Sequence, residues 1–156
     1  TAATLTELNT ALTKAAVAGT SLHVDLTAPL VLTTPLQVDG GLDLLLTSSN
    51  SEGVLDGDGA VRVLTVVGAS DGTRVRLEDL DVRNGKVTGG SGGCMRVEGD
   101  GVLEVLDGTI SGCEAVSSNN VGGVRPCAVV DCLYCMDPST SVPLLPGEWR
   151  CSSDIV

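Results

Sequence analysis

Short segments in which apolar and polar residues alternate make up most of the chain, and two of these segments repeat each other. Residues 73–85 align with residues 101–113 at a spacing of 28 positions. The matched pairs are Val75 and Leu103, Leu77 and Val105, Asp79 and Asp107, and Val82 and Ile110. Alternation indicates β-strands, and a fixed period of this length with Gly, Asp and Asn at the turns is typical of a β-solenoid.

The repeat extends in both directions as ladders of apolar residues that stack from coil to coil. The predicted ladders are Leu36, Leu64 and Met95; Val38, Val66 and Val97; Leu44, Val75 and Leu103; Leu46, Leu77 and Val105; and Leu55, Val82 and Ile110. The spacing varies because the turns at 47–53 and 68–73 carry extra residues, and a stack of coils tolerates insertions at turns. The sequence therefore predicts about three full coils of three short strands, with a partial coil at 22–32.

The pattern before the first coil has the period of a helix. Thr4 and Glu7 fit a capping box, Leu8 and Leu12 lie on one apolar stripe, and Gly19 suits the position after the helix end. We expect this helix to cover the open apolar end of the first coil. The predicted organisation is a capping helix at 1–20, a parallel β-helix at 21–120, and a Cys- and Pro-rich tail or cap at 121–156.

Three motifs carry a family resemblance. Residues 22–32 read Leu-x-Val-x-Leu-Thr-x-x-Leu-x-Leu, residues 92–97 read Gly-Gly-Cys-Met-Arg-Val, and residues 107–113 read Asp-Gly-Thr-Ile-Ser-Gly-Cys. They resemble right-handed parallel β-helices of the pectin-lyase-like superfamily, and most closely the coils of polymorphic outer-membrane and autotransporter-type surface proteins. Where those coils repeat Gly-Gly-Ala-Ile and aromatic-x-x-Asn, this chain has Gly-Gly-Cys-Met and Ile-Ser-Gly-Cys. The resemblance covers about residues 4–115 and implies an all-β fold and an extracellular or cell-surface location.

Composition limits the partners. The chain has 156 residues, enough for one domain, and it has no Phe, so its core must be aliphatic. A net charge of −11 with only nine Lys and Arg disfavours nucleic acid and anionic membranes. No apolar run approaches 18 residues, so no transmembrane helix is predicted. Because the chain begins at Thr1 without Met, we expect it to be a mature product or part of a longer chain. The expected partner is a polysaccharide or another surface protein.

Asp79 and Asp107 are the first candidate site. The repeat stacks them in adjacent coils about 4.8 Å apart, and like charges at that distance need solvent or a cation between them. The sequence therefore offers Asp79 and Asp107 as a cation site, with Ca²⁺ as the ion. The nearby Asp56-Gly-Asp58-Gly is interpreted as a turn between coils, because the later ligands of a calcium loop do not follow it.

The same rung carries the only candidates for catalysis, Asp79, Asp81, Arg83 and Lys86. The resemblance implies a precedent, since some polysaccharide lyases of this superfamily hold Ca²⁺ against a uronate with carboxylates while Arg or Lys abstracts the α-proton. The aspartate pairs with Gly-His-Gly of polygalacturonases and the Arg-x-Pro-x-x-Arg of pectate lyases are absent. We therefore favour a solvated charged face with Arg–Asp pairs between strands.

The six cysteines separate into two groups. Cys127, Cys132, Cys135 and Cys151 lie in the tail, and an even number of cysteines favours disulfides in a secreted chain over a Cys₄ zinc site or free thiols. Cys94 and Cys113 lie within the coils and are interpreted as buried replacements for aliphatic residues.

Two functions remain open. The sequence favours a non-catalytic extracellular or cell-surface module that acts as a rigid spacer or as an adhesion or carbohydrate-contact scaffold. The alternative is a fragment of a polysaccharide lyase or glycoside hydrolase of the same superfamily.

Overall fold

A computed structural model describes residues 1–68, 72–88, 92–116, 125–126, 130–131 and 149–152. These residues form one α-helix and a series of short strands. Their bounds are α1 Leu5–Ala18, β1 Leu22–Asp25, β2 Pro29–Val31, β3 Leu36–Val38, β4 Asp43–Thr47, β5 Val54–Asp56, β6 Leu64–Val67, β7 Arg74–Glu78, β8 Asp81–Arg83, β9 Lys86–Thr88, β10 Met95–Glu98, β11 Val102–Leu106, β12 Thr109–Ser111, β13 Glu114–Val116, β14 Arg125–Pro126, β15 Val130–Asp131 and β16 Trp149–Ser152.

Strands far apart in sequence pair in parallel. The first sheet has the order β1-β4-β7-β11-β16, the second β2-β5-β8-β12, the third β3-β6-β10-β15 and the fourth β9-β13-β14. From β1 to β12 the chain therefore passes through the first, second and third sheets and then returns to the first. We call one such passage a circuit. The fourth sheet adds β9 and β13 after the second sheet in the later circuits.

The predicted ladders are confirmed residue by residue. Leu36 pairs with Leu64 and Leu64 with Met95 in the third sheet, and Leu55 pairs with Val82 and Val82 with Ile110 in the second. In the first sheet the ladders through Val75 and Leu77 have the predicted partners. The described residues are therefore rich in strands, and their coils pair in parallel with this register.

The ladders form one aliphatic core between the sheets. Alternation along each strand places every second side chain inside, as the exposed-buried-exposed pattern of β8 illustrates. The largest fully buried side chains are Leu8, Leu26, Leu32, Val38, Leu44, Leu46, Leu55, Leu64, Leu77, Leu80, Met95 and Leu103. Each buried leucine or valine stabilises the fold by about 1.5–3 kcal/mol relative to an exposed one.

The predicted helix is confirmed together with its caps. The Thr4 Oγ1 accepts a hydrogen bond from the Glu7 N–H, and the Glu7 carboxylate accepts one from the Thr4 N–H at 3.0 Å. Gly19 ends the helix with φ +60°, a left-handed conformation that glycine adopts without steric cost. Leu8 and Leu12 are buried in the common core, so α1 packs on the stack of sheets.

Short strands from the tail extend three of the sheets. β15 pairs with β10 in parallel, whereas β14 pairs with β13 and β16 with β11 in antiparallel fashion. These strands attach to the last strands of their sheets. The predicted boundaries at residues 20 and 120 stay predictions.

The cysteines of the coils differ from the expectation. The predicted presence of a disulfide is confirmed, but the bond joins Cys94 to Cys113, with Cα atoms 5.0 Å apart, which corrects the interpretation of these two residues as aliphatic replacements. Cys94 is nevertheless fully buried. Of the tail candidates, Cys127, Cys132 and Cys135 lie outside the described residues, and Cys151 lies on β16; their disulfides stay a prediction.

Candidate functional site

Two of the predicted site residues lie on the outer surface of the second sheet, which we call the β8 face. It consists of the outward side chains of β2, β5, β8 and β12. Asp81 and Arg83 point outward on either side of the buried Val82. The strand register places Asp81 beside Val54 and Thr109, and Arg83 beside Asp56 and Ser111.

The strongest contact on this face joins Arg83 to Asp56. The Arg83 Nε lies 2.7 Å from Asp56 Oδ2, while Asn84 Nδ2 and the Asp58 N–H donate to Asp56 Oδ1 at 3.0 and 2.9 Å. Asp56 is 8% exposed. Burial alone raises the pKa of this carboxyl, but the Asp58 N–H and the side chains of Arg83 and Asn84 outweigh burial and lower it. Asp56 is therefore held as a carboxylate.

This role of Asp56 was missed by the sequence interpretation, which assigned residues 56–59 to a turn. Asp56 is the last residue of β5, and the turn begins after it. The signal was present, because the ladder that pairs Leu55 with Val82 also places Asp56 beside Arg83.

Asp81 and Lys86 have separate partners. Asp81 accepts a hydrogen bond from the Thr109 hydroxyl on the neighbouring strand β12. Lys86 lies on β9 in the fourth sheet, and its Nζ lies 2.9 Å from Glu114 Oε2 on β13. The structure therefore does not bring Lys86 onto the β8 face, although the sequence placed it on the same rung.

The sequence placed Asp79 on the same rung as Asp81, but Asp79 does not lie on a strand and does not share the outward face of Asp81. It lies in the turn between β7 and β8 with φ +54°, and Asp107 has φ +52° in the turn between β11 and β12. A short turn between strands requires a left-handed residue, and Asp tolerates that conformation better than most residues. The flanking pairs Glu78–Leu106 and Asp81–Thr109 make the two turns equivalent, so Asp79 and Asp107 occupy matching positions in adjacent circuits.

Neither carboxylate belongs to a larger ligand set. Among the residues that the structure describes, no group of three or more His, Cys, Asp or Glu side chains gathers where it could hold a metal ion. Both aspartates are exposed.

Among the residues that the structure describes, no helix is long and apolar enough to cross a membrane.

The outer surface of the first sheet has a groove that the sequence interpretation did not identify. It has a volume of about 330 Å³ and is lined by Ser21, Leu22, His23, Asp43, Leu45, Arg74 and Arg76. The Arg76 Nε lies 2.9 Å from Glu104 Oε2, and Glu78 lies 3.8 Å from the same guanidinium. The hydrogen bond to Glu104 is the main cause of the raised pKa of Arg76. Carboxylates thus balance the charge of Arg76 in this groove.

A second groove of about 340 Å³ runs between α1 and the third sheet. Its walls are Asn9, Leu12, Thr13, Ala16, Gln37, Val38, Asp39 and Leu42. Among these residues, the exposed Gln37 side chain donates a hydrogen bond to Asp39 at 2.9 Å. The groove contains neither a nucleophile with an adjacent base nor a cluster of charges of one sign.

No known protein family, curated protein or solved structure matches this chain. Its function must therefore be argued from its own residues.

Proposed function

We propose that the chain is a non-catalytic module of an extracellular or cell-surface protein, folded as a right-handed parallel β-helix that acts as a rigid scaffold. Three parallel sheets visited in rotation by successive strands support the β-helix. The Cys94–Cys113 disulfide supports an oxidising compartment, because such bonds are rare in reducing ones. The expected partner is a polysaccharide or another surface protein.

One observation carries the non-catalytic assignment: the charged candidates are bound to different neighbours. Arg83 binds Asp56 on β5, Asp81 binds Thr109 on β12, and Lys86 binds a glutamate on β13. A lyase site requires its base and its carboxylates to converge on one sugar, within hydrogen-bond reach of the reacting atoms. These side chains instead connect one circuit to the next, which stiffens the stack.

A lyase assay tests the proposal. Purified protein is incubated with polygalacturonate and with alginate, with and without Ca²⁺, and the ultraviolet absorbance of unsaturated products is followed. We expect no product from wild type or from any variant. Turnover that is lost in Arg83→Ala or Asp79→Asn, and retained in Arg96→Ala on β10, would overturn the scaffold assignment. Far-ultraviolet circular dichroism of each variant separates loss of activity from loss of fold.

A further inference from the structure

The disulfide closes one complete circuit of the chain into a covalent ring. Cys94 directly precedes β10, and Cys113 lies two residues after β12, with a sequence separation of 19. Between the two cysteines the chain passes once through each of the three large sheets, as β10, β11 and β12. We call residues 94–113 the closed circuit.

Every strand of the closed circuit pairs with the preceding circuit. β10 pairs with β6, β11 with β7 and β12 with β8, all in parallel. The described tail strands attach beyond them, since β15 pairs with β10, β16 with β11 and β14 with the adjoining β13. The closed circuit therefore connects the rest of the stack to the tail.

The backbone is tightly packed where the ring closes. A Cβ atom added to Gly85, the equivalent of Cys113 one circuit earlier, would lie 2.5 Å from the Cα of Cys94. One added to Gly93 would lie 2.6 Å from the backbone nitrogen of Glu114, which donates to the Gly85 carbonyl at 2.8 Å. The Cys94 residue is 0% exposed. The disulfide thus joins two backbone segments that already touch, and its Cys94 end is buried.

A stack of repeats frays from its ends, because an end circuit has a neighbour on one side only. At the first end, the capped helix α1 packs on the core. At the other end, the disulfide keeps the two ends of the closed circuit together, so β10, β11 and β12 gain less conformational freedom when they separate from the strands they pair with. The two ends of the stack are held by different means, and only the second depends on redox conditions.

We propose that the Cys94–Cys113 disulfide is a redox-operated lock that holds the closed circuit and the tail on the stack. A dithiol reductant donates two electrons and two protons, the S–S bond breaks, two thiols form, and the dithiol becomes a cyclic disulfide. Opening of a closed loop of this length becomes about a hundredfold more favourable without the bond, since that fold-change corresponds to roughly 3 kcal/mol. Reduction releases the closed circuit and the tail while the earlier circuits stay folded. This inference does not depend on the proposed function.

Amide hydrogen exchange tests the lock in the full chain. The background is the variant in which Cys127, Cys132, Cys135 and Cys151 are serine, so that dithiothreitol acts on one bond. On reduction we expect exchange in β10–β12 to accelerate about a hundredfold, with β1–β5 unchanged. Exchange in β16, which pairs with β11, reports the tail and is expected to accelerate together with β10–β12.

A matched variant keeps the result interpretable. Cys94→Ala with Cys113→Ala in the same background should exchange rapidly in β10–β12 without reductant and should not respond to it. If this variant does not fold, reduction of the folded background protein still gives the result. Uniform acceleration over β1–β12, no acceleration in β10–β12, or alkylation of Cys94 and Cys113 before reduction would each overturn the lock.

Discussion

Arg83 and Asp56 form an ion pair between adjacent circuits, with Nε and Oδ2 2.7 Å apart. The pair is asymmetric: the Arg83 side chain is 45% exposed, whereas that of Asp56 is 11% exposed. Removing the arginine leaves a carboxylate that has little access to water. Removing the aspartate leaves an arginine that solvent can reach. Removal of Arg83 is therefore expected to cost more stability than removal of Asp56, because it leaves the more buried charge without its partner.

Replacement of Arg83 by Met is expected to lower the free energy of unfolding by about 1–2 kcal/mol, because the buried Asp56 carboxylate loses a charged donor. The control is Arg96→Met, since Arg96 binds Glu98 at 3.0 Å in a pair whose side chains are 40% and 39% exposed. Exposed pairs contribute under about 1 kcal/mol. Urea denaturation at neutral pH compares the two variants. Equal losses of unfolding free energy in the two variants would show that the buried Asp56 carboxylate does not need Arg83 for its stabilisation.

The acid sensitivity of the fold is expected to depend partly on Asp56. The fold lowers the pKa of Asp56, so this carboxyl contributes stability above its unfolded value of about 3.9 and loses that contribution as pH falls through the lower, folded value. Below both values the contribution is absent. Urea unfolding between about pH 7 and about pH 2 should therefore show a shallower acid loss in Asp56→Asn than in wild type.

Asp56→Asn should reduce the acid loss without abolishing it. The pKa of Glu7 is lowered by the N–H groups of Ala3 and Thr4 and the Thr4 hydroxyl, and that of Asp25 by the N–H and hydroxyl of Ser49. Both carboxyls remain in the variant and act in the same direction. An acid profile of Asp56→Asn that runs parallel to wild type at all pH values would contradict the prediction.

The parallel sheets were predictable because aliphatic residues recur at every second position within a strand and again at the same position of the next coil. The first spacing indicates which side chains point inward, and the second indicates which residues pair between coils. A slip of one residue between their strands would have turned Leu55 or Val82 to the outer face. The same ladder contained the Asp56–Arg83 pair, which was overlooked because Asp56 was assigned to the turn that follows it. The error was therefore one of element boundary, by a single residue.

The disulfide and the position of Asp79 were less accessible from sequence. Cys94 and Cys113 meet where the backbone of Gly93 packs against that of Glu114, and no periodicity in the sequence specifies this contact. Asp79 departs from the strand alternation because its backbone is left-handed. Alternation predicts side-chain direction only within a strand, and it fails at the first turn residue.

Substitution of both Asp79 and Asp107 by Asn tests the predicted cation site. Asn also tolerates the left-handed backbone, so the change removes charge and little else. We expect the double variant to be as stable as wild type or up to about 1 kcal/mol more stable, through loss of like-charge repulsion. Thermal unfolding with and without millimolar Ca²⁺ is the measurement. A Ca²⁺-dependent rise in the wild-type Tm that the variant lacks would establish the cation site and contradict this expectation.

Substitution of Gly85 tests how rigid the backbone is where Gly85 packs against residues 93 and 94, beside the disulfide. A methyl group at Gly85 meets the backbone of residues 93 and 94 at 2.5 Å, so it forces main chain to move in two circuits. Gly85→Ala is therefore expected to cost about 3 kcal/mol or more, at the upper end of overpacking effects. The control is Gly72→Ala, where φ is +77° but the added methyl meets nothing within 4 Å. That change should cost about 1 kcal/mol, from the left-handed backbone alone. Guanidinium denaturation under non-reducing conditions compares the two variants. If Gly85→Ala lowers the free energy of unfolding no more than Gly72→Ala, the backbone beside the disulfide adjusts at little cost. The disulfide, rather than backbone packing, would then hold the closed circuit in place.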